Sequence, residues 1–188
     1  MEEKKVYILL SDTGTLFTRL IKLYTKKPYN HASIAFDPNL IEVYSFGRKH
    51  PFNPFKAGFV KEDLHGKFFK QARCSIYCCT ISDVELEKMN HYINRIAAHA
   101  EIYRYNLIGL FAVALNKPIK RKNAFFCSQF VATVLLKSNT IKFDKPISLI
   151  TPHDLQESPR FELTYQGRLA DFHTKTDLWG LSPTTIMH

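Results

Sequence analysis

The chain has no long apolar run. Its longest, Leu107 to Leu115, is interrupted by Gly109 and falls far short of the roughly 20 residues needed to span a bilayer. A secretory leader is not evident either, because Met1-Glu2-Glu3-Lys4-Lys5 leads only into an apolar segment of strand length. Cysteine is scarce: Cys74, Cys78 and Cys79 are crowded together and Cys127 stands alone, a poor disulfide framework. Together these absences predict a reducing, cytoplasmic setting. Acidic residues are also short, with 17 Asp and Glu against 26 Lys and Arg, a net charge of +9. Such a balance favours an anionic contact (nucleic acid, membrane lipid or an acidic substrate) and carries no information on fold. No repeat, low-complexity tract or linker is visible. With 45% hydrophobic and 23% charged residues, the composition excludes collagen, coiled coil and wholesale disorder. A single domain over 1–188 is expected, with its core at roughly 6–167 and an irregular tail at 168–188.

Patterning predicts a mixture of helices and antiparallel strands without a βαβ rhythm, hence the α+β class. Lys5 to Leu10 reads as a buried strand and Thr13 to Tyr24 as a helix stopped by Lys26-Lys27-Pro28. His31 to Phe36 and Leu40 to Phe46 flank the turn tripeptide Asp37-Pro38-Asn39 and read as a β-hairpin. Lys49 to Gly66 looks irregular, and Cys74 to Thr80 is a strand. Ser82-Asp83-Val84-Glu85 fits a capping box ahead of Leu86, Met89, Ile93 and Ile96 at helical spacing. Helices are expected over Tyr105 to Leu115, over Phe125 to Leu136 and, with Thr151 as N-cap and Pro152 first, after Thr151. Phe161 to Tyr165 reads as a final strand.

The chemical signal centres on Cys127. It opens an apolar-faced helix, where free N–H groups and a partial positive charge favour a thiolate and offer an oxyanion hole. A small buried hydrophobe is the alternative reading of a lone cysteine. His31 shares a strand face with Ser33 and Ala35, leaving room for a thiol-bearing element to approach. It serves either as a base or as a strand-end histidine bonded to a turn. Glu42 lies in the partner run Leu40-Ile41-Glu42-Val43-Tyr44, and it either orients the imidazole or faces solvent. Register decides between these. A two- or four-residue loop puts His31 opposite Tyr44 with Glu42 a diagonal neighbour, and a three-residue loop turns Glu42 to the other face.

Three blocks in this order, Tyr29-Asn30-His31-Ala32-Ser33-Ile34-Ala35, Phe126-Cys127-Ser128-Gln129-Phe130-Val131 and Thr151-Pro152-His153-Asp154-Leu155 running to Tyr165-Gln166-Gly167, resemble the circularly permuted NlpC-type papain-like cysteine hydrolases. The nearest branch is the YiiX/YebB-like cysteine peptidases; lecithin:retinol acyltransferase-like enzymes are more distant. The resemblance implies a papain-like fold in which the cysteine helix packs on an antiparallel sheet or barrel. It implies Cys127 as nucleophile, His31 as base, Glu42 as the third polar residue and Tyr105 lining the substrate site, with no cofactor and no metal. Gln129 stands where relatives often have Glu or Gly two residues after the cysteine.

Other features read as structural. Cys74 and Cys78 share a strand face with Ile76, and no histidine completes a zinc spacing near them. His91 and His99 are expected to be solvated or partly buried, and His153 either approaches the active site or, as the favoured reading, helps cap its helix. The run Lys117 to Lys122 is either a solvated loop or a rim attracting a carboxylate or lipid headgroup, with Lys26-Lys27 a second basic strip. Phe46, Phe52, Phe55 and Phe59 are expected to pack under a long loop rather than wall a cleft. The leading expectation is a cysteine peptidase or amidase acting on small peptides, to which the family resemblance adds cell-wall fragments. The alternatives are a thioester-forming acyltransferase or lipid hydrolase at an anionic membrane, and a non-enzymatic basic module on nucleic acid.

Overall fold

The computed structural model describes residues 3–12, 26–49, 56–66, 69 and 71–172. The expected helix over Thr13 to Tyr24, the phenylalanines Phe52 and Phe55, and the tail beyond residue 172 lie outside the described residues.

A six-stranded sheet carries the fold. Its strands are β1 (Lys4–Asp12), β2 (His31–Ala35), β3 (Val43–Arg48), β4 (Ala57–Lys61), β5 (Arg73–Ile81) and β8 (Glu162–Arg168). They lie in the order β4-β3-β2-β1-β5-β8, and every neighbouring pair is antiparallel. The class is therefore α+β, as the patterning predicts. β1 is central, and Val6, Ile8, Leu9 and Leu10 are all inaccessible on its two faces. That double burial explains why Lys5 to Leu10 reads as a continuous apolar run rather than an alternating one. β6 (Arg104–Tyr105) and β7 (Ala124–Phe125) form a small parallel pair.

Helices cover one face of the sheet. α1 (Asp83–Ala98) starts at the expected capping box, in which Ser82 Oγ accepts from the Glu85 N–H and Glu85 accepts from the Ser82 N–H. It buries Met89, Tyr92, Ile93 and Ile96. α2 (Leu107–Ala114) is capped by Asn106, whose Oδ1 accepts from Gly109 N at 2.9 Å. α3 (Cys127–Lys137) buries Phe130, Val131, Ala132, Val134 and Leu135 against Ala32, Ile34 and Phe46. α4 (Pro152–Gln156) has the expected Thr151 cap, completed by Asp154. None of these helices is long and apolar enough to cross a membrane.

The opposite face holds a smaller apolar cluster of Leu9, Ala35, Leu40, Val43, Leu64, Phe69, Cys74, Ile76 and Leu169. Regular structure thus continues past the expected boundary at 167: Arg168 ends β8, and Leu169 is buried with its N–H on Ala72 O at 2.9 Å. The segment expected to be irregular contains β4, because Gly58 and Phe59 pair with Gly47 and Phe46. Phe46 and Phe59 are core residues, their rings 6.0 Å apart. All four cysteines are free. Burial pushes the Cys74 thiol up to about 12, so it remains an inert part of the core.

Candidate active site

Two local features place Cys127. Phe126, the residue before α3, is extended and gives the helix no side-chain cap, so the first-turn N–H groups have no side-chain acceptor from that residue. Aromatic packing then fixes the helix start: Phe46 lies 5.1 Å from Phe125 and 5.2 Å from Phe130, ring centre to ring centre. Ser128 Oγ donates to Ile150 O at 2.7 Å and ties the same turn to the chain beyond α3. Cys127 is buried, and its Sγ lies 4.0 Å from the Asn30 carbonyl oxygen.

That carbonyl belongs to the residue before His31, the first residue of β2. The His31 ring lies close enough to the Cys127 thiol for the sulfur to help raise the imidazole. The other side of the imidazole is also engaged, with Nε2 lying 2.6 Å from Glu62 Oε1. Nδ1 is therefore the ring nitrogen left for sulfur. α3 does not approach over the His31 face, as the small residues Ser33 and Ala35 had suggested. It packs on the Ala32 and Ile34 face, and its first turn meets His31 at the end of the strand.

Glu62 is the residue that the sequence reading missed, and Glu42 is the one it misplaced. The chain between β2 and β3 spans seven residues, 36–42. Asp37 carboxylate oxygens accept from the N–H groups of Asn39, Ile41 and Glu42, and Leu40 takes a positive φ of 55°. This wide turn sets Ile34 opposite Tyr44 and Ala35 opposite Val43. Continued in register, His31 falls opposite Gly47, and Glu42 has the parity of the other face. There Glu42 is half exposed and bonds Lys61 and Tyr44 instead. Lys61 foremost, and then Tyr44, hold its carboxyl below the usual carboxylate range.

Glu62 follows β4, with its N–H on Val43 O at 2.8 Å, and so shares the face of His31. The two residues are separated by a whole strand, roughly 10 Å of sheet. Small residues open the way across β3. A Cβ added to Gly47 would sit 3.3 Å from Ser45 Oγ, 3.6 Å from His31 Cε1 and 3.7 Å from Glu62 Oε1. Ser33 Oγ donates to Glu62 Oε2 and Ser45 Oγ to Oε1, each at 2.5 Å. Phe69 closes the back, its ring 6.4 Å from the imidazole.

The carboxylate side chain is only 6% exposed and the imidazole 13%, so each charge depends on the other. Burial opposes ionisation of Glu62, but His31 and the two serine hydroxyls outweigh it and hold the carboxyl below its usual range. Burial likewise opposes the imidazolium. The Glu62 charge, with hydrogen bonds to Cys127 and Glu62, raises His31 from 6.5 to about 10 nonetheless. A pH signature in stability follows. The His31 contribution is complete below 6.5 and is lost as the pH rises through about 10. The Glu62 contribution is complete above 4.5 and is lost as the pH falls through its depressed value. Urea midpoints of wild type and His31→Gln should therefore differ most between these limits and converge above pH 10; a constant gap across that range would contradict the pairing.

Tyr105 enters from β6, paired in register with Phe125, two residues before Cys127. Its hydroxyl is raised well above 10, by burial first and then by charge on Cys127, with Arg48 opposing. Tyr105 thus lies near enough to Cys127 for charge on the sulfur to act on its hydroxyl. Asn106 Nδ2 donates to Gln129 Oε1 at 3.4 Å, a link between α2 and α3 beside the site. Other histidines lie elsewhere: His91 is exposed on α1 and His99 is exposed at its C-cap. His153 does not cap its helix but contacts Lys27 at 2.7 Å and Glu157 at 3.1 Å.

No protein-family profile, curated protein or solved structure matches the chain.

Proposed function

We propose that the protein is a cysteine-dependent amide hydrolase of papain-like, permuted NlpC type, working through Cys127, His31 and Glu62. One observation carries the reading: a buried thiol at a helix start lies against the chain at Asn30 and His31, and that histidine is bonded through Nε2 to a buried carboxylate. Nucleophile, base and orienter are thereby in line.

In the proposed reaction the Cys127 sulfur, paired with the His31 imidazolium, attacks a substrate carbonyl carbon. The C–S bond forms as the carbonyl π electrons move to oxygen, where the Cys127 N–H and a second donor receive the charge. Collapse breaks the C–N bond, and the amine leaves with the His31 proton. Water then adds to the thioester, neutral His31 takes its proton, and the carboxylic acid departs as sulfur regains its pairing with the imidazolium. Small peptides remain the proposed substrates. An acyl transfer to an amine or hydroxyl uses the same thioester and differs only in the final acceptor.

Iodoacetamide tests the nucleophile without knowledge of the substrate. Cys127 should be alkylated at pH 6 faster than a free cysteine peptide, and His31→Gln should slow it by up to roughly 10²-fold, because a thiol of ordinary pKa is well under about 1% thiolate at that pH. Peptide mapping after brief exposure identifies the site. Modification of Cys78 ahead of Cys127, or an equal rate in His31→Gln, would remove the basis for this function.

A further inference from the structure

The net positive charge is not evenly spread. No Asp or Glu occurs between Glu101 and Asp144, a stretch that holds Arg104, Lys117, Lys120, Arg121, Lys122, Lys137 and Lys142. Within it α2 is arranged unusually for a surface helix. Its inner side is small, with Gly109 and Ala112 buried. Its large apolar side chains point outward: Ile108 is 54% exposed, and Phe111 and Leu115 are each 69% exposed. Positions i, i+3 and i+7 form one stripe along a helix. The chain then reverses at Asn116, which takes a φ of 51°, and Lys117 N bonds back to Ala112 O at 2.9 Å. This turn places the basic loop, with Lys117, Lys120, Arg121 and Lys122 all exposed, directly against the end of the apolar stripe. Ile119, 36% exposed, continues the apolar character into the loop.

We infer that the outer face of α2 and the Lys117 to Lys122 loop form a docking surface for an anionic phospholipid bilayer. Isolated exposed apolar residues need no explanation, but a contiguous stripe of them marks an interaction surface. A bilayer interface accepts apolar side chains at the acyl boundary and cations at the headgroups. Nucleic acid would engage the cations and leave Phe111 and Leu115 in water, whereas a basic, acid-free rim repels a second copy of itself. Candidate-site residues flank the surface on both sides in the chain, since Tyr105 lies two residues before α2 and Cys127 five residues after Lys122. Docking there holds the start of α3 near the bilayer. The inference is independent of the proposed chemistry and is tested without catalysis.

Sedimentation of the full chain with phosphatidylserine–phosphatidylcholine vesicles, against phosphatidylcholine alone, gives the answer. Binding should require phosphatidylserine and weaken with salt. Lys120→Gln, Arg121→Gln and Lys122→Gln together should weaken it roughly a hundredfold, at about fivefold per cation near the surface. Phe111→Ser with Leu115→Ser, both at exposed positions, should weaken it at least about tenfold through lost apolar insertion. Failure to sediment at low salt would overturn the inference. So would full retention by the Phe111 and Leu115 variant, or tighter binding to an RNA oligonucleotide that this variant leaves unchanged.

Discussion

Glu62→Gln should lower turnover on the order of 10³-fold or more, while Glu42→Gln leaves it within a factor of two or so. The difference follows from where the two carboxylates lie. Glutamine at 62 keeps the shape of the side chain but cannot compensate a buried imidazolium, so His31 loses both its charge partner and its fixed orientation. In a serine hydrolase the corresponding carboxylate-to-amide change costs roughly 10⁴ in rate, which sets the scale. Stability should fall as well. Breaking a buried ion pair from one side typically costs about 3–5 kcal/mol, and Ser33 and Ser45 would also lose their charged acceptor. The Glu42–Lys61 pair is about half exposed, and screening holds its worth to about 1 kcal/mol or less. Urea melts beside turnover separate the two effects: Glu62→Gln should lose activity even under conditions where it remains fully folded. Equal loss in both variants would restore Glu42 to the site.

Cys127→Ser should abolish formation of an acyl-enzyme. Mixing wild type with p-nitrophenyl acetate, a generic acyl donor, should release a burst of p-nitrophenol and leave the acetyl group on Cys127. The serine variant should show no burst and a rate lower by roughly 10⁵–10⁶-fold, the scale on which losing a nucleophile acts. A serine hydroxyl must give its proton to a base, and this histidine, which Glu62 and Cys127 hold as a cation up to about 10 against the opposing effect of burial, is already protonated. Intact mass and peptide mapping read the site. Acetylation that persists in Cys127→Ser would place the nucleophile elsewhere.

Much of this site is legible in the sequence because its signals are local. Cys127 precedes an apolar helical period, and His31 opens an alternating strand; both are positions that a periodicity reading can place. Glu62 is not legible in this way. Its relation to His31 depends on a seven-residue turn pinned by Asp37, which shifts the β2–β3 register, and on a side chain crossing the intervening strand. No period in the sequence encodes either. Ser33, Ser45 and Gly47 were the available hint, since three small or hydroxyl residues on one face of paired strands leave a channel rather than a core. Glu42 lies nearer in sequence within an apolar run, yet its register gives it to Lys61 and Tyr44. The patterning also passed over β4, because Phe- and Gly-rich composition hides a strand whose stability comes from pairing with β3.

The coupling of sulfur, imidazole and carboxylate can be read directly from the ¹⁵N NMR titration of the His31 ring in wild type, Glu62→Gln and Cys127→Ala. The account predicts an imidazolium that persists in wild type to about pH 10, with a lower titration in each variant and the larger drop in Glu62→Gln. A His31 that titrates near the ordinary 6.5 in wild type, or that is indifferent to both substitutions, would contradict it.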